Sequence, residues 1–356
     1  MVSVPVSNVL DTIGNTPCVR LNNVVPKACA QVYLKLEYLS PTGSYKDRLA
    51  KSIIEEAEKR GSLKPGMTVA EASGGSTGSS LALVCAAKGY KCIVVSSNAF
   101  AIEKLRTMSA LGTQVDIIHS HSGKIHADLI PSMIQRVAEH AEDSQIYWTN
   151  QFENKDAFVG YQVLGLELIQ QFPYGVDAFC AAVGTAGMAM GVAQALKNTF
   201  SNCHIAVLEP VSSSPISTGQ AGEHHIEGIG IGSVPPLLNR NLYDQVLAIE
   251  EEEARAMCRR LAKEEGLLIF DAICYVSIGS NGGNLAVLNQ HAVREFNWSI
   301  ACGTSPCQDP RRHLVCRHLE LVAFSKALYG FMFGVALAER FPSTFTDRYK
   351  AAARDL

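Results

Sequence analysis

The residues of this chain most capable of chemistry are one lysine and two glycine-rich turns. Lys46 lies in Pro41-Thr-Gly-Ser-Tyr-Lys46-Asp-Arg48, a turn that leads directly into a helix-forming run. Glu71-Ala-Ser-Gly-Gly-Ser-Thr-Gly78 follows a short β-forming run; its glycines, Gly74 and Gly75 among them, permit a tight turn, and Ser73, Ser76 and Thr77 place hydroxyl groups where a helix begins. Such a cup binds a carboxylate or a phosphate. Gly184-Thr-Ala-Gly187-Met188 is a second cup, with Thr185 as its one side-chain hydroxyl, and suits a phosphate monoester. Neither cup has the Gly-Lys-Ser/Thr of a nucleotide P-loop. Taken singly, each turn is also ordinary strand-to-helix punctuation, and a lone lysine ordinary surface decoration. Taken together, a lysine at a helix start, a cup for a cofactor phosphate and a cup for a substrate carboxylate are the parts of a pyridoxal phosphate site. There the lysine forms a Schiff base and the cofactor supplies the electron sink.

Those parts need elements that hold them at one edge of a sheet. Short apolar or β-branched runs at 32–36, 68–72, 92–96, 114–118, 178–183 and 203–208 read as strands. Amphipathic stretches at 47–60, 76–88, 100–111, 129–141, 156–171 and 188–198 read as the helices between them. The alternation predicts βα units on parallel sheets, with ligands beyond the carboxyl ends of the strands. A polar connection at 143–151 is the expected crossing between two blocks of such units. The acidic run Glu250 to Glu253 reads as the first turn of a helix over 254–262.

Composition narrows the partners. The chain has 356 residues, 47% of them hydrophobic and 18% charged, which is a globular profile long enough for about two domains. A net charge of -3 provides no basic field for nucleic acid or an anionic membrane, so small molecules are the expected ligands. Met1 to Asn8 has neither a basic nor an apolar targeting segment, and the 11 cysteines form no repeating framework, so reduced thiols in the cytoplasm are expected. The apolar stretch at 179–196 is broken by Gly184, Gly187 and Gly191 and reads as strand, loop and helix. The stretch at 321–338 reads as a core or interface helix rather than a membrane span. His119, His121 and His126, and the set Cys302, Cys307, His313, Cys316 and His318, lack zinc-site spacing, and no metal is expected.

In order along the chain, Ile13-Gly-Asn-Thr-Pro17, Lys35-Leu-Glu37, Pro41 to Arg48, the cup ending at Gly78, Asn150-Gln-Phe152, Gly184 to Gly187 and Glu227-Gly-Ile-Gly230 resemble the cysteine synthase (O-acetylserine sulfhydrylase) family of fold type II pyridoxal phosphate enzymes. The resemblance covers roughly residues 11 to 266. It implies a tryptophan synthase beta-like α/β fold with two open, mostly parallel domains. Residues 1–39 and 149–356 would form the large cofactor-binding domain, with 298–356 a divergent tail, and 40–148 the smaller mobile domain that grips substrate. It further implies Lys46 as the Schiff-base lysine, with Ser76 near the ring hydroxyl and Gly184, Thr185, Ala186, Gly187 and Met188 holding the phosphate. Ser73, Gly74, Gly75, Thr77 and Gln151 would hold the substrate carboxylate, and Gly228 and Gly230 would line the substrate side of the ring.

The activity implied is β-replacement on an activated serine such as O-acetylserine, a transferase step of cysteine biosynthesis. Lys46 removes the α-proton, the β-substituent leaves to give an aminoacrylate, and a small nucleophile then adds. A homodimer is implied as well. Set against the family pattern, Gly74 replaces a usual serine, Ser76 a usual asparagine and Met188 a usual threonine. An insertion at 269–277 precedes Ile278-Gly-Ser-Asn-Gly-Gly-Asn284, where Ser280, or in the adjacent register Asn281, would meet the ring nitrogen. These departures leave two alternatives open: a β-eliminating lyase that releases pyruvate, or a cofactor-binding interaction protein without turnover.

Overall fold

The computed structural model describes residues 5–25, 30–123, 128–226 and 228–268, together with the two short strands Val276–Ser277 and Leu285–Val287, all of them within the unit Met1–Thr304. In chain order the strands are β1 (Cys18–Arg20), β2 (Gln31–Lys35), β3 (Thr68–Ala72), β4 (Lys91–Ser97), β5 (Gln114–Ile118), β6 (Ile146–Trp148), β7 (Ala178–Ala182), β8 (His204–Pro210), β9 (Gln245–Ile249), β10 (Val276–Ser277) and β11 (Leu285–Val287). The helices are α1 (Lys46–Arg60), α2 (Ser76–Lys88), α3 (Ile102–Ala110), α4 (Leu129–His140), α5 (Ala157–Gln171), α6 (Gly187–Thr199) and α7 (Glu251–Glu265).

Two four-stranded sheets carry the expected α/β architecture. One, ordered β5-β4-β3-β6, is parallel throughout. The other is ordered β10-β7-β8-β9; β7, β8 and β9 run parallel, and β10 joins β7 antiparallel. A third sheet, β1-β2-β11, pairs β1 antiparallel and β11 parallel to β2. Parallel strands need crossovers, and helices on both faces then bury the strands completely. Accordingly all five residues of β7 are buried. Leu81, Val84 and Met108 pack on one side of the first sheet, and Leu129, Met133 and Val137 of α4 on the other. Helices α5 and α6 approach at glycines: a Cβ at Gly165 would stand 2.5 Å from the Ala195 Cβ, and one at Gly191 would stand 2.7 Å from the Tyr161 Cβ.

The boundaries differ from the sequence reading where local pattern is weak. The segment 143–151 is not simply a polar connection, because β6 lies inside it and pairs with β3. Three residues are too few for a periodicity to register. The helix expected from 100 begins at Ile102, because the Phe100 amide turns back to Ser97 O and Ala101 is extended. The helix expected over 254–262 runs from Glu251 to Glu265, so the acidic residues form its first turn, where the helix dipole favours them. The apolar stretch 179–196 is β7, a loop and α6, and no helix among the described residues is long and apolar enough to cross a membrane. Cys85, Cys92, Cys180 and Cys203 are buried. Residues 302–318 and 321–338, and His126, lie outside the described residues.

One buried ion cluster ties four segments together. Arg48, on α1, donates from Nε and Nη2 to Glu37 (2.7 and 2.9 Å) and from Nη1 and Nη2 to Glu167 on α5 (2.7 and 2.8 Å). Lys35 on β2 donates to Glu167 Oε2 at 2.7 Å and to Thr16 O at 2.6 Å, while Thr16 Oγ1 donates to Glu37 Oε1. Burial pushes the Glu167 carboxyl up, but the Arg48 fork and the Lys35 ammonium outweigh it and hold the group at about 2. Because the folded value lies below the ordinary 4.5, this carboxylate's stabilisation is complete above about pH 4.5 and is lost as pH falls through about 2. Glu167→Ala is therefore expected to cost about 3–5 kcal/mol in urea unfolding, by stranding buried cations. Asp156→Ala, which frees only the half-exposed Arg60, should cost less than about 1 kcal/mol. Equal costs for the two would contradict this assignment.

Candidate active site

Lys46 is the first residue of α1 and is 7% exposed. Lysines are rarely buried unless paired. The other buried cations, Lys35 and Arg48, are ion-paired, whereas Lys46 has no carboxylate within ion-pair distance among the described residues. Its Nζ stands 5.0 Å from the centroid of the Tyr45 ring. The turn before it is built by side chains: Ser44 Oγ accepts the Lys46 amide, and Asp47 accepts from Thr42 N (2.9 Å), Thr42 Oγ1 (2.6 Å) and Ser80 Oγ (2.6 Å). Burial pushes the Asp47 carboxyl up against the pull of these hydroxyl groups. Through Ser80, Asp47 joins the lysine turn to α2.

At the carboxyl end of β3 the first cup opens into α2. Ser73 Oγ accepts from the amides of Gly75 (3.2 Å) and Gly78 (2.9 Å), which leaves its own proton to donate. The amides of Ser76 and Thr77 have no acceptor among the described residues, as expected of a first helical turn. Gln151 arrives from the loop after β6: its Oε1 accepts from Thr77 Oγ1 at 2.7 Å and its Nε2 donates to Ala72 O at 3.0 Å. The structure thus brings Ser73, Gly75, Ser76, Thr77 and Gln151 together, with the Thr77 proton already committed to Gln151 and one Gln151 N–H free. Beneath them Glu71, a charge in an otherwise apolar strand, accepts from Thr149 Oγ1, Gln151 N and Ala72 N. Burial pushes this carboxyl up, opposed by the three donors. Asn150, next to Gln151, is left-handed at φ +46°, a strained conformation that places the Gln151 side chain.

The second cup follows β7. Ala186 caps α6 at φ +65°, no side chain caps the helix, and Thr185 and Met188 are buried. A left-handed residue at a helix start turns successive amides toward one point, which is the geometry of an anion nest. The chain folds tightly over this turn, for a Cβ at Gly184 would meet Gly228 O at 2.2 Å, and Gly230 N donates to Val183 O at 3.1 Å. The Tyr161 ring bridges the two regions: it lies 3.4 Å from the Cβ position of Gly187, and its centroid is 5.8 Å from that of Tyr45. Its buried hydroxyl has no hydrogen-bond partner among the described residues. An uncapped helix start, a glycine without room for a side chain and an orphaned hydroxyl nearby together fit the phosphate of pyridoxal phosphate. Ser280 and Asn281 lie outside the described residues, as does Glu227. Among the described residues no cluster of three or more His, Cys, Asp or Glu is placed to hold a metal ion.

Sequence reasoning missed Glu71, Tyr161 and Phe100. Glu71 carried a signal, an acid buried by position at the end of a strand; Tyr161 carried none. Phe100 was placed in a helix, but its ring occupies the space beside Gly74, where an added Cβ would meet Cε1 at 2.3 Å. The missing side chain at Gly74 is therefore filled by an aromatic edge rather than left open. Gly74→Ser is expected to displace that ring and cost about 1–3 kcal/mol in thermal or urea unfolding, with most of the loss recovered in Gly74→Ser/Phe100→Ala. A neutral single substitution would contradict the packing.

Comparison with known proteins agrees with this geometry. The family model described as pyridoxal-phosphate dependent enzyme matches residues 9–270. The cysteine synthase of Staphylococcus aureus is 39% identical over 270 residues, 75% of this chain and 85% of that protein. The solved cysteine synthase of Entamoeba histolytica is 30% identical with a TM-score of 0.70, over 75% of this chain and 80% of its own. A solved O-ureido-L-serine synthase is 32% identical with a TM-score of 0.70, over 74% and 82%. With a buried lysine that has no carboxylate partner among the described residues, two anion cups and matches across most of its length, the chain belongs to the pyridoxal-phosphate dependent enzyme family, alongside the cysteine synthases, and its cofactor is pyridoxal phosphate.

Proposed function

We propose that this enzyme carries out β-replacement on O-acetylserine or a closely similar activated serine, giving cysteine or a related β-substituted alanine, with Lys46 as the cofactor-bearing lysine. The observation that carries the reading is the buried amine of Lys46, with no ion-pair partner among the described residues, at the start of a helix in a chain with one cup suited to a phosphate and one suited to a carboxylate. The relatives named above, a cysteine synthase and an O-ureido-L-serine synthase, support the substrate class.

Each residue then has a task it can perform from its place. The amides of Gly184, Thr185, Ala186, Gly187 and Met188 and the Thr185 hydroxyl hold the phosphate at the α6 dipole. Ser76 would meet the ring hydroxyl, and Ser280, or Asn281, would meet the ring nitrogen. The Ser73 hydroxyl, the amides of Ser76 and Thr77 and the remaining N–H of Gln151 hold the substrate carboxylate, beside Gly74 and Gly75, and Gly228 lines the substrate. The bound cofactor supplies the electron sink for the α-carbon pair. Lys46 Nζ would serve as the base for the α-proton. In this reading 40–148 forms the smaller, substrate-gripping domain against 1–39 and 149–356, and the enzyme works in the cytoplasm as a homodimer. An exposed apolar stripe on α5, Val159, Val163 and Leu166, supports the dimer.

The test is product analysis with O-acetylserine, with and without sulfide. Cysteine should form only with sulfide, and Lys46→Ala should lower the rate by at least about 100-fold. Pyruvate formed regardless of sulfide would replace this reading with the lyase. Retained cofactor with no product would replace it with a binding protein.

A further inference from the structure

Three of the sequence motifs take no part in either cup. They are Gly14-Asn-Thr16, Lys35-Leu-Glu37 and the arginine that follows Lys46 by two positions. In the fold all three converge, with Glu167 of α5, on the one buried ion cluster. We propose that the cluster of Lys35, Glu37, Arg48 and Glu167 is a positioning device for Lys46, which sets the rotation of the first turn of α1 and thereby the place of the lysine amine. The inference rests on the reading that Lys46 bears the cofactor.

Helix geometry gives the argument. Successive residues leave a helix about 100° apart, so Lys46, Asp47 and Arg48 point in three directions around one turn. Two of those directions are pinned. Arg48 makes four N–H···O contacts of 2.7 to 2.9 Å to two carboxylates on separate elements, and Asp47 accepts three hydrogen bonds that tie it to Thr42 and to α2. With both held, the turn has no freedom left to roll, and the third direction, that of Lys46, is determined.

Stability alone does not call for this construction. Well-packed apolar side chains of similar volume often stabilise a core as well as a buried ion cluster does. A guanidinium fork adds direction, since its planar donors meet two carboxylates in a single orientation. The N-terminal segment is also bent to serve it. Asn15 is left-handed at φ +50°, and its amide donates to Glu167 Oε1 at 2.9 Å. At Gly14, φ +97°, an added Cβ would stand 3.0 Å from both Arg48 Nη1 and Glu167 Oε1. Arg48, Glu37, Glu167 and Lys35 are positioning residues here, acting through the backbone of α1 rather than on substrate.

The test uses the holoenzyme and Arg48→Lys, which keeps one charge and loses the fork. The first readout is the rate at which the visible band of the bound cofactor responds to O-acetylserine in stopped flow. The second is cofactor affinity in Lys46→Ala and Lys46→Ala/Arg48→Lys, where no covalent bond contributes. The expected result is a fall of about 100-fold in the first, the scale of a misplacement near 1 Å, with the second unchanged within about threefold. Arg60→Ala, at the far end of the same helix, should leave both unchanged. A folded Arg48→Lys that responds at the wild-type rate overturns the proposal, even if its melting temperature has dropped. If Arg48→Lys does not fold, Thr16→Val decides in its place. It removes one hydroxyl, which donates to Glu37 Oε1 and accepts from Arg48 Nη2 at 3.4 Å, and leaves all four charges; a slower response supports the proposal, and a wild-type rate overturns it. A Lys46→Ala protein that responds as the wild type does overturns the reading of Lys46, and the positioning proposal with it.

Discussion

A parallel strand that ends at a helix start leaves backbone amides with no partner in the chain, and this constraint organises the molecule. Among the described residues it arises after β3, where Ser73 takes the Gly75 and Gly78 amides and leaves those of Ser76 and Thr77 facing outward, and after β7, where no side chain caps α6. Anions satisfy such amides at little further cost. The fold thus supplies two anion sites before any catalytic residue is considered. Lys46 adds the reactive group, a buried amine that, among the described residues, lacks the carboxylate which accompanies Lys35.

The same logic explains the supporting residues. Glu71 lies under the carboxylate cup because the loop that brings Gln151 has amide and hydroxyl donors to satisfy, and one buried carboxylate takes two of them together with the Ala72 amide of its own strand. Phe100 closes the space at Gly74, so the cup has lost a hydroxyl and gained an apolar wall on that side. At Met188 the phosphate cup has likewise lost a hydroxyl, and the orphaned Tyr161 hydroxyl lies in the layer between that cup and the lysine turn.

What was legible in the sequence was local. The β3 and α2 boundaries follow from a β-branched run, a glycine turn and an apolar helix, all within about twenty residues, and the structure places both where the pattern puts them. Lys46 and the two cups were visible for the same reason. The ion cluster was not: Arg48 and Glu167 are 119 positions apart, and nothing in either neighbourhood signals the other. Strand β6 escaped because its pairing is decided by the edge of β3, and β9, beyond the last strand read, because it is the outer strand next to β8. Tyr161 joins the site only through the α5–α6 contact, which depends on Gly165 and Gly191 meeting their partners across the interface.

The account turns on one atom, the Nζ of Lys46. Borohydride reduction of the cofactor-loaded protein, followed by peptide mapping, reads out where the cofactor is covalently held. A pyridoxyl group on Lys46 alone is the predicted result, and it should be absent when Lys46 is alanine. A pyridoxyl group on Lys35, Lys51 or any other lysine, or none in a protein that retains its cofactor, would contradict it.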